Sequence, residues 1–367
     1  MALYASLVIL VSSIALFVAS LPQIAGPALV VFFATAAWGV RSNEKLRGIS
    51  FSLLIFAAVT LAMCFPAPFV RLGGFDMSAL IVPLLQLIMF GMGTAMSAAD
   101  FLGVVKAPRA VFIGLACQFT IMPFVGAALA LSFRLDPEVA AGIILIGAAP
   151  SGLASNVMAY IGKANLALSV TLTTVATLIA PFMTPFYMQW LAGQYIPIEP
   201  WGMMWSIVQI TILPIVAGLI FNHFLHGRTD WLDRLMPKVS MLGIAVILMI
   251  MTAGGRDNLL EIGLVLIAIS LIHNFAGYML GYWSCRLLGL DEKSCRTISF
   301  EVGLQNAGLA TGLAQEMGKI ATVGLVPTVY GSLMNITGAT LATWWRDKPA
   351  DSASAVEPRA TTVRETQ

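Results

Sequence analysis

The sequence predicts an all-α, polytopic membrane protein. Hydrophobic residues make up 59% of the 367 residues and charged residues only 10%, a balance that soluble globular domains do not have. The mean hydropathy is +0.89. Continuous apolar runs long enough to cross a hydrocarbon core of about 30 Å recur along nearly the whole chain. A membrane β-barrel would instead require short strands of alternating polarity.

Twelve apolar segments are predicted to be membrane helices. The first lacks the basic start and the cleavage site of a signal peptide, so we expect it to be retained. The predicted segments are 3–20, 24–40, 49–67, 77–97, 109–132, 137–162 (broken), 165–193, 201–222, 236–255, 260–285, 293–317 (broken) and 322–345. The polar stretch 347–367 is predicted to be a disordered tail.

The positions of the basic residues predict the orientation. If the N-terminus is cytoplasmic, the outer loops contain Arg71, Arg134, Arg256 and Lys319, and the other sixteen of the 20 lysines and arginines lie inside or in the tail. This asymmetry agrees with the positive-inside rule and predicts that both termini are cytoplasmic. With no targeting peptide and a short tail, we expect a bacterial inner-membrane protein.

The order of the helices predicts an inverted repeat. Residues 1–48 form an extra N-terminal hairpin, and ten helices remain, divided into five-helix repeats at 49–197 and 198–346. Asn156 is placed in the first break and Asn306 in the second, about 150 residues apart, as are the two repeat starts. Because five is odd, the second repeat crosses the membrane in the opposite orientation, and such repeats have their binding site at their interface near the midplane.

Glu301, in 300-FEVGLQNAGLATG-312, is the acidic residue that lies well inside a predicted membrane segment. A carboxylate there costs at least about 2.5 kcal/mol unless it is compensated. It could be a protonated structural residue, a proton relay or a ligand of a cation. Gly303, Gly308 and Gly312 are expected to allow unwound backbone, and the oxygens of Gln305 and Asn306 suit a monovalent cation.

The first break, 147-GAAPSGLASNVMAY-160, places Ser155 and Asn156 at the start of a half-helix, although small residues here could also form a packing face. Ser169, Thr173 and Thr177 then line one stripe of the next helix. Gln118, His273 and Asn274 are polar residues within other helices, where interhelical hydrogen bonds are commoner than ligand contacts. The four cysteines have no metal-site spacing and are expected to be buried side chains.

Hydrolytic, nucleotide-binding and zinc-protease motifs are absent from the sequence. We therefore expect no enzymatic activity and no nucleic-acid partner. An oxygen-rich site between two broken helices indicates a transporter.

At these residues the sequence resembles the bile acid:sodium symporter family. The matching stretches are FGMGTAMSAADF (90–101), GLACQFTIMPFVG (114–126), PSGLASNVMAYIGKANLALSVTLTTVATLIAPFMTP (150–185) and EVGLQNAGLATGLA (301–314), in the family order over residues 49–345. The resemblance implies ten helices in a panel and a core domain, in which two broken helices cross.

The resemblance also implies two bound sodium ions and a set of ligands. The first ion would be held by Ser155, Asn156, Ser169, Thr173 and Glu301, and the second by Gln118, Glu301, Gln305 and the carbonyls of Val302 and Leu304. Substrate would lie beside Asn306, Leu153 and Ala154. In 150-PSGL-153, Ser151 replaces a glycine and Leu153 replaces a hydroxyl residue of the family pattern, so a polar contact next to the substrate is missing.

The predicted function is sodium-coupled import of an organic anion, bile-acid-like or a small carboxylate, by a monomer using alternating access. Three alternatives remain at the level of sequence: proton coupling through Glu301, a non-transporting membrane sensor or enzyme, and a channel.

Overall fold

A computed structural model describes Ile9 and residues 22–41, 50–96, 105–225 and 230–349. The helices in these ranges are α1 (Pro22–Val40), α2 (Ser50–Cys64), α3 (Ala67–Val70), α4 (Ile81–Ala95), α5 (Pro108–Ser132), α6 (Pro137–Ala148), α7 (Ala154–Ile161), α8 (Leu166–Tyr187), α9 (Pro200–Ile207), α10 (Leu213–Leu225), α11 (Asp230–Gly254), α12 (Arg256–Leu287), α13 (Glu292–Gly303), α14 (Ala307–Glu316) and α15 (Leu325–Arg346).

Short elements connect or extend some of these helices. Strands β1 (Arg71–Leu72) and β2 (Phe75–Asp76) form an antiparallel hairpin, and a 3₁₀ turn, Met77–Leu80, leads into α4. A π-helical turn at Met188–Ala192 extends α8, and another at Val208–Ile212 joins α9 to α10.

The predicted helical architecture is confirmed for the described residues, apart from the short hairpin of β1 and β2. The helical segments predicted from 24–40 onward agree with the observed helices to within a few residues at most ends. The predicted helix 3–20, apart from Ile9, and the predicted tail from residue 350 lie outside the described residues. Five helices of the described part are long and apolar enough to cross a membrane: Met77–Ala95, Pro108–Ser132, Leu166–Ala192, Pro200–Phe224 and Arg256–Leu287.

Both predicted breaks are present. The first separates α6 from α7 because Pro150 has no N–H and forces the preceding residue, Ala149, into an extended conformation with ψ of 152°. The second separates α13 from α14 at residues 304–306, where the Asn306 side chain accepts a hydrogen bond from the Leu309 N–H and caps α14.

The two breaks contact each other. Ser151 and Gln305 form an isolated antiparallel β-bridge. The Gly152 N–H donates to the Leu304 carbonyl at 2.8 Å, and the Asn306 N–H donates to the Pro150 carbonyl at 2.8 Å. Each break therefore supplies hydrogen-bond partners for backbone groups of the other. Lipid hydrocarbon could not supply such partners.

Two details of the predicted breaks are wrong. Asn156 lies in the first turn of α7, not in the break, because the interruption is confined to residues 149–153. Gly308 and Gly312 lie within α14, so they do not supply unwound backbone. Instead they allow close packing, since a Cβ at Gly312 would lie 2.5 Å from Leu85 Cδ1 and one at Gly308 would lie 3.0 Å from Leu85 Cδ2.

The core of the molecule surrounds the breaks. Every residue of α6 from Val139 to Ala148 is buried, as expected for a helix that is apolar on all sides. Helices α5, α12 and α15 pack around α6 and α13, while α4 packs against α10 and α11. Helix α1 packs against α2, which in turn contacts α11.

Candidate cation-binding site

Glu301 lies in the last turn of α13 with 1% of its surface exposed. Its hydrogen-bond partners are three neutral hydroxyl groups, two from α8 and one from the first break. Ser169 Oγ is 2.5 Å from Oε1, Thr173 Oγ1 is 2.9 Å from Oε2, and Ser151 Oγ is 2.6 Å from Oε2. Within the described ranges, no Lys, Arg or His forms an ion pair with this carboxyl group.

Asn156 and Ser155 complete this first group of oxygens. Ser169 Oγ and Thr173 Oγ1 lie 2.8 Å and 3.2 Å from Asn156 Oδ1, and Ser155 Oγ lies 3.2 Å from Thr173 Oγ1. The family resemblance predicts that three hydroxyl residues, Ser155, Ser169 and Thr173, lie beside Glu301 and Asn156. The structure brings all five residues together.

The first group has more acceptor positions than protons. Ser169 has one hydroxyl proton but faces both Glu301 and Asn156, and Thr173 faces the same two acceptors. The proton of Ser155 is directed at the Gly152 carbonyl at 2.8 Å. A hydroxyl has one donor and two lone pairs, so the surplus of lone pairs suits a hard cation that binds oxygen alone.

A second group of oxygens lies around Gln118 and Gln305. Gln118 Nε2 donates to Gln305 Oε1 at 2.8 Å and to the Ala149 carbonyl at 3.0 Å, while Gln305 Nε2 donates to the Val302 carbonyl at 2.5 Å. The Leu304 carbonyl accepts from Gly152 and keeps a second lone pair. Gln118 Oε1 is buried and has no donor among the described residues. Since a buried acceptor without a partner costs free energy, this oxygen fits a cation ligand.

The predicted polar stripe of α8 is present, since Ser169, Thr173 and Thr177 all lie buried on this helix. Thr177 Oγ1 donates to the carbonyl of Thr173 at 2.7 Å, which is the back-bonding common for Thr in membrane helices. Of the three predicted hydroxyl residues, Ser169 and Thr173 reach Glu301.

Helices α12 and α15 hold the end of α13 in place. Asn274 Nδ2 and the Tyr330 hydroxyl both donate to the Gly303 carbonyl at 2.7 Å, and Thr337 Oγ1 donates to Asn274 Oδ1 at 2.6 Å. His273 Nε2 is 2.9 Å from the Met122 carbonyl. The interhelical hydrogen bonds predicted for Asn274 and His273 are therefore confirmed, and Gln118 both bridges helices and belongs to the second group.

The residues predicted to contact substrate lie at the starts of the two half-helices. Leu153 is 37% exposed and precedes α7, which has no side-chain cap. Ala154 is the first residue of α7 and is half-buried. Asn306 is half-buried and caps α14. Their positions place both half-helix N-termini beside the bridged breaks.

Ser151 was missed as a site residue. From the sequence it was only a departure from a family glycine, yet it is 1% exposed and its hydroxyl contacts Glu301 directly. The sequence offered one signal, a hydroxyl residue four positions before Ser155 within the break.

The fold and this group of residues define a class: a polytopic helical membrane protein with a buried, oxygen-lined carboxylate at the contact between two interrupted helices. A profile of the sodium bile acid symporter family matches residues 82–262.

Similar proteins carry sodium-dependent transport in their names. An uncharacterized sodium-dependent transporter, YocS of Bacillus subtilis, is 37% identical over 310 residues, covering 84% of this chain and 94% of the relative. The human ileal sodium/bile acid cotransporter is 32% identical over 268 residues, covering 69% of this chain and 76% of the relative. A probable sodium/metabolite cotransporter of rice chloroplasts, BASS1, is 31% identical over 313 residues, covering 83% of this chain and 74% of the relative.

The chain belongs to the sodium bile acid symporter family. The family consists of symporters, so this chain is a transport protein rather than an enzyme. The predicted resemblance is confirmed, and sodium-coupled transport across a membrane is established at the level of the family.

Proposed function

We propose that this protein imports an organic anion by alternating access, driven by two co-transported sodium ions. The observation that carries the proposal is the buried Glu301 carboxylate, whose hydrogen-bond partners are all neutral oxygens. A mobile cation would supply the counter-charge for this carboxylate when it is ionised.

The first sodium ion would bind to Ser155, Asn156, Ser169, Thr173 and Glu301. These oxygens come from α7, α8 and α13, so the ion would fix three elements relative to one another. One carboxylate among several neutral oxygens suits a monovalent rather than a divalent cation.

The second sodium ion would bind to Gln118, Gln305, the carbonyls of Val302 and Leu304, and Glu301. The buried Gln118 Oε1 supports this position. Glu301 would then contact both ions, and each ion crossing a potential of 100 mV would yield about 2.3 kcal/mol. Import of two sodium ions with a monoanion moves one net positive charge inward.

The surface of α7 favours an anion with an apolar body. Leu153, Val157 and Tyr160 lie along one side of α7 and are 37%, 54% and 72% exposed. The N–H groups at the start of α7 have no side-chain cap, and a helix N-terminus attracts negative charge. A charged group at this N-terminus and an apolar body along α7 would use both features. Leu153 offers no hydroxyl contact, which favours an apolar substrate over a strongly polar one.

The two half-helices differ in what covers them, and this supports alternating access. Helix α14 packs against α4 and α9, whereas α7 packs mainly against α8, α13 and α15 and leaves its apolar side exposed. The cleft would therefore be closed beside α14 and open beside α7. In the proposed topology, with two inverted five-helix units and cytoplasmic termini in a bacterial inner membrane, this is an inward-open monomer.

The test is sodium binding and uptake by Glu301→Gln, with Glu316→Gln as the matched control, because Glu316 is exposed and lies on α14 away from the site. The wild type and the control should gain thermal stability in sodium but not in potassium or choline at equal ionic strength. They should also accumulate a suitable organic anion in liposomes under a sodium gradient. Glu301→Gln should lose both responses.

Unchanged sodium-driven uptake by Glu301→Gln would contradict the proposal. The rival function is proton coupling through the same carboxyl group, and it predicts uptake driven by a pH gradient in sodium-free buffer. A sensor or an enzyme would accumulate no substrate under either gradient.

A further inference from the structure

A basic cavity lies at the end of the molecule opposite the closed side of the cleft. It has a volume of ≈ 710 Å³ and is lined by residues that include Lys163, Lys293, Arg346, Asp347, Lys348 and Pro349. These residues come from the α7–α8 connection, from the start of α13 and from the end of α15. None of them belongs to the cation-binding site.

Positive charge dominates this cavity. Three further basic side chains of the lining, Lys163, Arg346 and Lys348, accompany one carboxylate among the described lining residues, that of Asp347. Asp347 lies 3.3 Å from the Arg346 Nε, and its side chain is 63% exposed. Even without Lys293, one acidic group offsets only part of the charge of three basic groups, so the cavity attracts an anion.

The backbone that carries two of these basic residues is held by a buried arginine. Arg296 is 2% exposed, and its guanidinium donates to the carbonyls of Trp345 at 3.1 Å and Pro349 at 2.8 Å. Its Nε lies 2.8 Å from a carboxylate oxygen of Glu292. The segment bearing Arg346 and Lys348 is therefore fixed to α13 and does not fray as an ordinary helix end does.

Lys163 adopts a backbone conformation that favours glycine. Its φ is 51°, in the left-handed region, immediately after Gly162 ends α7. A side chain at such a position costs about 1 kcal/mol or more relative to glycine. A lysine here is unfavourable for the backbone, which indicates that its charge is used.

Exposed apolar side chains lie at the ends of membrane helices, within a few residues of the cavity lining in the chain. Lys348 Nζ lies 3.2 Å from the centroid of the Trp344 ring, and the Trp344 side chain is 54% exposed. Leu166, at the start of α8, is 40% exposed. Exposed tryptophan at a helix end marks the headgroup level of a bilayer.

We propose that this cavity binds the phosphodiester headgroup of an anionic phospholipid, whose acyl chains lie along the exposed side chains of Trp344 and Leu166. Basic pockets between membrane helices bind such headgroups. The bound headgroup would join the α7–α8 connection to the ends of α13 and α15, and so stabilise the half-helices that carry the site. The inference does not depend on the coupling ion or on the transported anion.

The experiment uses the full chain, purified and delipidated in a neutral detergent. Phosphatidylglycerol, phosphatidylcholine or inorganic phosphate is titrated while thermal unfolding is followed, and native mass spectrometry detects retained lipid. Phosphatidylglycerol should raise the unfolding temperature and remain bound, whereas phosphatidylcholine and inorganic phosphate should not.

Two variants locate the site. Lys163→Gly and Lys348→Gln should each weaken the apparent affinity for phosphatidylglycerol about fivefold. Lys163→Gly should unfold at the wild-type temperature or above it without lipid, because glycine relaxes the left-handed backbone, and this excludes a folding defect. Lys106→Gln is the matched control, since Lys106 is exposed and lies outside the cavity.

Three results would overturn the proposal. The first is an equal rise in unfolding temperature with phosphatidylglycerol and with phosphatidylcholine. The second is an affinity of Lys163→Gly for phosphatidylglycerol equal to that of the wild type. The third is a rise in unfolding temperature with inorganic phosphate that phosphatidylglycerol does not increase further. The last result would assign the cavity to a free anion.

Discussion

The packing of Leu85 against α14 predicts how the proposed closed side of the cleft can be opened by mutation. Leu85, on α4, is 2% exposed. A Cβ at Gly312 would lie 2.5 Å from its Cδ1, and a Cβ at Gly308 would lie 3.0 Å from its Cδ2. One methyl group of Leu85 therefore faces each glycine, so the side chain cannot turn away from one without moving toward the other.

The double variant Gly308→Ala/Gly312→Ala should destabilise this closed contact. Overpacking of a tight interface costs about 1–3 kcal/mol. If the contact exists only when the cleft is closed beside α14, the variant destabilises that closed state by the same free energy. The equilibrium between the closed state and the state open beside α14 then shifts toward the open state by about 5- to 150-fold. The variant should fold, because a state without this contact is part of the proposed transport cycle.

The assay is the rate at which maleimide labels a cysteine introduced as Ser206→Cys. Ser206 lines a cavity of ≈ 340 Å³ that also touches Leu313 and Met317, at the contact between α9 and α14. Cys64 is half-buried and is first replaced by alanine, whereas the three other native cysteines are buried. Labelling should be faster in the double-alanine variant, and Leu85→Ala should restore the slow rate by making room for the added methyl groups.

Two results would refute this reasoning. One is a labelling rate that the double-alanine change leaves unaltered. The other is a faster rate that persists in the triple variant with Leu85→Ala, because the effect would then not arise at this contact.

Three further predictions concern the site and its support. Ser151→Gly removes one of the hydroxyl groups on Glu301 and should weaken sodium binding about 10- to 100-fold, measured as the sodium concentration at half-maximal thermal shift; Thr177→Ala, which alters only a back-bond, should bind sodium like the wild type. Tyr330→Phe removes one of two donors to the Gly303 carbonyl and should lower the free energy of unfolding by about 1 kcal/mol, and an unchanged unfolding temperature would count against the hydrogen bond. Arg296→Met leaves Glu292 with the Tyr282 hydroxyl but without its cationic partner and should cost about 3–5 kcal/mol. Adding Glu292→Gln should recover part of that loss in the same unfolding assay.

The helices and the first cation group were predictable from sequence because their signals are local. Apolar length marks the helices, Pro150 marks one break, and a carboxylate in an apolar segment singles out Glu301. Ser169 and Thr173 follow from helical spacing. Their assignment as partners of Glu301 came from the family resemblance, since no local pattern relates positions more than 120 residues apart.

The remaining features depend on which parts of the chain meet. Gly308 and Gly312 were expected to allow unwound backbone, but they pack against Leu85, more than 200 residues earlier. Ser151 gains its significance only because the bridge to Gln305 turns the first break toward Glu301. Arg296 looked like one more cytoplasmic charge, and its contacts with the carbonyls of Trp345 and Pro349 arise from the packing of α13 beside α15.

The bridge between the two breaks also constrains how the protein is made. The Gly152 N–H and the Pro150 carbonyl find their partners in Leu304 and Asn306, which leave the ribosome about 150 residues later, or roughly 8–30 s at ordinary rates of synthesis. Throughout that interval the first break has polar backbone that lipid cannot satisfy. The nascent first half must therefore stay in contact with water or with the insertion machinery until the second half arrives, and a chain that ends between the breaks should be degraded rather than fold as an independent unit.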